Sequence, residues 1–217
     1  MNLKFETINF EIIENIAIIR LNRPNSYNSL NAKMAKELLE ISYECDTNKK
    51  IRANILTVEG DKAFCAGGDL KSFHETGNVA KHLKMVTHDL HGAITKFSRM
   101  NSPLIVAVNG VAAGAGLSFV GFADLAIAKS SATFVSAYTK AGLTPDGSSS
   151  YYLPRIIGTR KYLELVMTNK ILSSQEALSW GLLNKVYDDK NFWDETMKLA
   201  NTPVSYTHLT LPTNREV

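Results

Sequence analysis

Three stretches of this chain carry residues whose types and spacing could do chemistry. AFCAGGDL (Ala63 to Leu70) and NGVAAGAG (Asn109 to Gly116) are runs of tiny side chains, and each follows an apolar segment that reads as a β-strand. Tiny side chains let another group approach the main chain, and a strand-to-helix turn leaves N–H groups without partners. Each loop could therefore present one unpaired backbone N–H, or could simply be a tight helix–strand packing point. Two such donors aimed at one oxygen form an oxyanion hole, where removing one donor typically costs roughly 10²–10³ in rate. The third stretch is Thr144-Pro145-Asp146-Gly147-Ser148. Asp146 reads either as a Pro-Asp-Gly turn former or as a general base set against an apolar pocket, where burial would raise its pKa toward a working range.

The elements that would position these residues are legible from periodicity. Phe5 to Ile12 alternates, Ile16 to Leu21 is apolar, and Glu14-Asn15 separates them, which predicts an opening hairpin followed by a loop at 22–26. Helical spacing of Met34, Leu38, Leu39 and Ile41 predicts a helix over 31–43, and a second helix is predicted over 81–100, carrying His82, His88 and His91. Ile51 to Val58, Leu104 to Val108, Asp124 to Ala128 and Ala132 to Phe134 read as strands, and Leu117 to Phe122 as a helix start. A helix over 160–169 precedes a Ser-x-x-Glu capping box at Ser173 and Glu176, whose helix stops at Gly181, and LLNKVYD is a last strand. Alternating strands and helices predict an α/β domain with functional loops at strand ends.

The bulk properties exclude several classes. At 217 residues and 45% hydrophobic, the chain reads as one soluble domain, and a net charge of +3 with scattered basic residues does not point to nucleic acid. No apolar run reaches the length of a membrane span. Two cysteines, Cys45 and Cys65, give neither a disulfide framework nor a metal spacing, which fits a reducing, intracellular setting. No activated environment surrounds Cys65, no nucleophile elbow surrounds Ser148 to Ser150, and Asp124 reads as shaping its strand entry.

AFCAGGDL, SPLIVAVNGVAAGAG, ADLAIA and LPRIIGTRKYLELVMTNKILSSQEALSWGLLNKVY together, in this order, resemble the crotonase superfamily, the enoyl-CoA hydratase/isomerase group, to about Asp189. The resemblance implies a ClpP/crotonase-like spiral of repeated ββα units, a homotrimer or hexamer, and an acyl-CoA thioester substrate with coenzyme A entering as part of it rather than as a resident cofactor. It implies no metal, nucleic-acid or membrane partner, and a cytoplasmic location, or an organellar matrix or peroxisome in a eukaryote. It places the oxyanion donors at Gly68 and Ala115. Asn25, Ser26, Tyr27, Ala66, Gly67, Asp69, Leu70, Ala113, Gly114, Tyr138 and Pro145 would line the substrate and coenzyme A site. The hydratases' two glutamates fall at Ser118 and Tyr138, so the usual glutamate pair is absent.

Asp146 falls where the isomerases carry their single acid, and KAGLTPDGSSSYYLPR resembles the ring-isomerising enzymes of phenylacetate breakdown. An enoyl-CoA isomerase is therefore expected. An alternative is a 4-chlorobenzoyl-CoA dehalogenase-like hydrolase, in which Asp146 attacks the ring and His91 activates water. That branch has tryptophan at the place of Tyr138 and phenylalanine at the place of Gly68. A hydratase, or a binding module without catalysis, are further alternatives. The crotonase-like domain is expected over 1–203 and to lack its last helices. VSYTHLTLPTNREV, Val204 to Val217, has no periodicity and resembles a translated ligation adapter, a non-native tail.

Overall fold

The computed structural model describes residues 4–205. In chain order the elements are β1 (Ile8–Ile13), β2 (Ile16–Leu21), α1 (Ala32–Thr47), β3 (Ala53–Val58), β4 (Ala63–Cys65), α2 (Leu70–His74), α3 (Val79–Phe97), β5 (Leu104–Val108), β6 (Val111–Ala113) and α4 (Ala115–Phe122). There follow β7 (Leu125–Lys129), β8 (Thr133–Val135), α5 (Ser149–Ile157), α6 (Thr159–Thr168), β9 (Leu172–Ser173), α7 (Ser174–Ser179), β10 (Lys185–Tyr187) and α8 (Phe192–Val204).

The strands form two sheets, ordered β1-β2-β3-β5-β7-β10 and β4-β6-β8-β9. Only the β1–β2 and β8–β9 pairs are antiparallel. The topology is a repeat: β3, β5 and β7 each enter the larger sheet, and β4, β6 and β8 after them each enter the smaller one before the chain turns helical. This is the expected spiral of ββα units. The two short strands β4 and β6, inside what read as loops, are the part that periodicity missed, because three residues show no pattern.

The larger sheet is buried on both faces, which explains its nearly continuous apolar strands. Ala17, Ile19, Leu21, Leu56, Val106 and Val108 face the main core with α1 and α3, while Ile16, Ile18, Ile55, Ile105 and Ile127 face a second cluster with Phe192 and Ala200 of α8. Thus α8, which lies beyond the expected span of resemblance, closes the outer face of the sheet. The expected tail begins inside this helix: Val204 is its last residue, and 206–217 lie outside the described residues.

Helix starts follow their caps. Asn31 and Asn78 each accept a backbone N–H three residues on, from Met34 and Lys81, moving the second start to Val79. The capping box of Ser173 and Glu176 forms in both directions. Asp124 accepts the Leu104 N–H at 2.7 Å, tying the start of β7 to β5.

Candidate functional site

The loops after β4, β6 and β8 meet because those strands are parallel neighbours. Contact between the first two is through backbone. A Cβ on Gly114 (φ +51°) would stand 3.4 Å from Cα of Gly67, and one on Gly116 would stand 2.3 Å from the carbonyl oxygen of Cys65. Only glycine permits this approach, so the tiny residues are required by the meeting of the loops.

Each loop holds one donor ready. Leu30 N–H donates to the Gly67 carbonyl and Asp69 N–H donates to the Leu30 carbonyl, both at 2.8 Å, in a parallel bridge of Leu30 with Gly68. The N–H of Gly68 therefore points away from Leu30. Ala115 is the first residue of α4, and its N–H has no partner within the helix. Gly68 and Ala115 line one cavity of about 360 Å³. Its walls include Leu83, Val86, Thr87 and Leu90, a single face of α3, together with Phe73 and residues of the 141–147 loop.

Asp146 lines the same cavity, and among the described residues no other carboxylate does. Its Oδ1 lies 2.7 Å from His91 Nε2 and accepts the Gly147 N–H at 2.7 Å. These contacts reverse the expected direction of its pKa. The bond from His91 holds the carboxyl below the usual range, and the Gly147 N–H adds to this, outweighing partial burial. The same contact raises the His91 imidazole above its ordinary value, against desolvation.

Ser118, on α4, is buried and its Oγ lies 2.9 Å from the Tyr138 hydroxyl. Both hydroxyls reach the main-chain carbonyl of Asp146, at 3.0 and 3.1 Å. Burial pushes the Tyr138 phenol well above its usual pKa.

Ala66, Gly67, Leu70, Gly114, Tyr138 and Pro145 line the cavity as expected. Five expected residues do not. Ala113 is buried in β6. The Asp69 carboxylate is occupied by Arg23 at 2.7 Å and by the Ser72 N–H, capping α2. Asn25 borders a separate cavity of about 180 Å³. Ser26 and Tyr27 sit in and after a 3-10 turn, with the Tyr27 carbonyl accepting the Ala66 N–H at 3.1 Å and its side chain exposed. The α3 wall was missed, although Leu83, Val86 and Leu90 stand at helical spacing; an amphipathic stripe looks alike whether it faces core or cavity. Cys65 is buried, with its thiol pushed up to about 12 by burial. Among the described residues no group of three or more His, Cys, Asp or Glu could hold a metal, and no helix is long and apolar enough to cross a membrane.

A two-sheet ββα spiral thus brings the loops of Gly68 and Ala115 and the acid Asp146 around one cavity. The sequence model of the enoyl-CoA hydratase/isomerase family matches residues 11–212, and the chain belongs to that family, within the crotonase superfamily. It is 34% identical over 205 residues to 4-chlorobenzoyl coenzyme A dehalogenase-2 of Arthrobacter sp, covering 93% of this chain and 74% of that protein. It is also 34% identical to 1,2-epoxyphenylacetyl-CoA isomerase of Escherichia coli K12, covering 90% and 75%. A solved structure of enoyl-CoA hydratase from Bacillus anthracis superposes with a TM-score of 0.88 at 28% identity, covering 93% of this chain and 78% of that one. The chain is thus an acyl-CoA-transforming member of this family.

Proposed function

We propose that the protein is an enoyl-CoA isomerase that shifts a double bond through a thioester enolate. The observation that carries this reading is that, among the described residues, Asp146 is the one carboxylate in the cavity shared by the loops of Gly68 and Ala115. Asp146 takes a proton from C2 of a 3-enoyl thioester, the electron pair moves onto the thioester oxygen, and the N–H groups of Gly68 and Ala115 stabilise the resulting enolate. The proton returns at C4, leaving the 2-enoyl isomer. Hydration by a glutamate pair has no counterpart, since the two places carry Ser118 and Tyr138, bonded to each other. Leu70, which lines the cavity and is exposed, suits the coenzyme A portion. A homotrimer or hexamer in a reducing cytoplasm or organelle matrix, with no resident cofactor, completes the proposal.

The His91–Asp146 contact favours a second reading, aryl-CoA dehalogenation. There Asp146 would displace halide from the ring, and His91 would activate the water that cleaves the aryl ester.

Incubation with a 3-enoyl-CoA in D₂O, followed by mass spectrometry and the 2-enoyl thioester absorbance, tests the assignment. Wild type is expected to convert substrate and exchange at C2, with Asp146→Asn slower by roughly 10²–10⁴-fold. Absence of both conversion and exchange, with halide released from a 4-halobenzoyl-CoA instead, would give the second reading.

A further inference from the structure

The carboxylate of Asp146 is not symmetric in its surroundings. Both of its hydrogen bonds, from His91 Nε2 and from the Gly147 N–H, fall on Oδ1. Oδ2 is left to meet a substrate in the cavity that Asp146 lines. What fixes this division is the peptide unit joining Asp146 to Gly147. Its carbonyl is taken from one side by Ser118 Oγ and the Tyr138 hydroxyl. In a trans peptide the N–H points opposite the carbonyl, so holding the carbonyl aims the Gly147 N–H. Gly147 has φ +58°, which suits the turn, and a Cβ there would stand 2.9 Å from the Ser118 Cβ.

The two hydroxyls meet at one acceptor: the pair lies 2.9 Å apart and both oxygens lie near the same carbonyl. Either both donate to its two lone pairs or one donates to the other, which then donates to the carbonyl, and in both arrangements the same peptide is held. Ser118 Oγ also lies 3.3 Å from the carbonyl of Gly114, beside the donor Ala115, so the unit links the acid to the glycine loop.

We propose that Ser118 and Tyr138 are positioning residues whose joined hydroxyls lock the Asp146–Gly147 peptide, keep the Gly147 N–H on Oδ1, and so reserve Oδ2 as the oxygen that moves the proton. The role rests on the reading of Asp146 as proton carrier, but the lock itself can be observed without turnover. The titratable groups that face Asp146 are His91 from α3 and Tyr138 from the loop after β8, with the Cys65 thiol from β4 beyond Tyr138. Burial keeps the tyrosine and the cysteine neutral through the acid range. The Gly147 N–H is among the contacts that hold the Asp146 carboxyl low.

The test is a ¹³C carboxyl titration of the free protein, with the Asp146 signal identified by its loss in Asp146→Asn. Tyr138→Phe removes a hydroxyl and little volume, and Ser118→Ala removes the other. Each variant is expected to move the Asp146 midpoint upward, toward the ordinary carboxylate range, and the double variant is expected to move it no further than the larger single shift. In isomerase assays the same variants should lower kcat by roughly ten- to a hundredfold with little change in KM. A midpoint that stays put in a folded variant, checked by circular dichroism, overturns the lock even if turnover falls. A shifted midpoint in a protein that lacks isomerase activity upholds the lock and removes the catalytic reading instead. If Ser118→Ala fails to fold, Tyr138→Phe alone decides.

Discussion

The donor loops and the acid loop meet in one cavity but are held there by different means. Around Gly67, Gly68 and Gly114 the restraint is main chain against main chain: a parallel bridge to Leu30, and glycine carbons packed against neighbouring backbone. Around Asp146 it is side chain against main chain: two hydroxyls on a carbonyl, and an imidazole on a carboxylate. The loop after β6 is a single residue before the buried helix α4, whereas 139–144 are solvent-exposed. Backbone contact gives a pair of loops whose spacing is set by the main chain itself. Side-chain contact gives an acid whose pKa and direction are set by a few removable groups.

The largest expected effect breaks the rigid half. Gly116→Ala drives a methyl into the Cys65 carbonyl, where backbone on both sides cannot yield. It should cost at least about 3 kcal/mol, the upper end for overpacking, and remove activity. Urea denaturation measures this, and a loss below about 0.5 kcal/mol would show that the loops are not fixed by this approach. Gly114→Ala is milder: a side chain at φ +51° should cost about 1–3 kcal/mol, and the variant should lose more kcat than KM as the Ala115 donor shifts.

His91→Gln sharpens the other half and should be the smallest in stability, no more than about 1 kcal/mol, since both partners remain in contact with water. Its signature is the pH window. The raised imidazole stabilises below its unfolded pKa, and that contribution is lost as pH rises through the folded value. The lowered carboxyl stabilises above its unfolded pKa and loses this as pH falls through the folded value. The difference between wild type and variant should therefore be greatest between roughly pH 4 and 6.5, the ordinary values of the two groups. The acid limb of the rate profile should move to higher pH once Asp146 loses its partner. A flat difference across pH would show that the pair is not an ion pair in solution.

The same contrast explains what the residues disclose before any coordinates. Backbone constraints leave a compositional mark: AFCAGGDL and NGVAAGAG are conspicuous because the approach of Gly116 to Cys65 excludes every other side chain. The long strands and one cap were equally legible, through apolar runs and alternation and through Ser173 and Glu176. The acid's setting was not. Nothing in Thr-Pro-Asp-Gly-Ser says that a histidine 55 positions earlier will lie on its carboxylate and reverse the direction of its pKa. Nor does composition reveal that Ser118 and Tyr138 will meet on the Asp146 carbonyl. For α8, the loss was of another kind: its apolar face against β2, β3 and β5 has meaning only once that sheet is known to need cover on its second side.

The three ββα units each place their site loop after a strand of the smaller sheet, but they are not equal copies. Two of these loops are pinned by close backbone contact, while the third, from 136 to 148, runs free of any sheet between β8 and α5. The repeat thus separates a rigid part from an adaptable one: residues of a loop that supports no strand can be replaced without disturbing the register of either sheet.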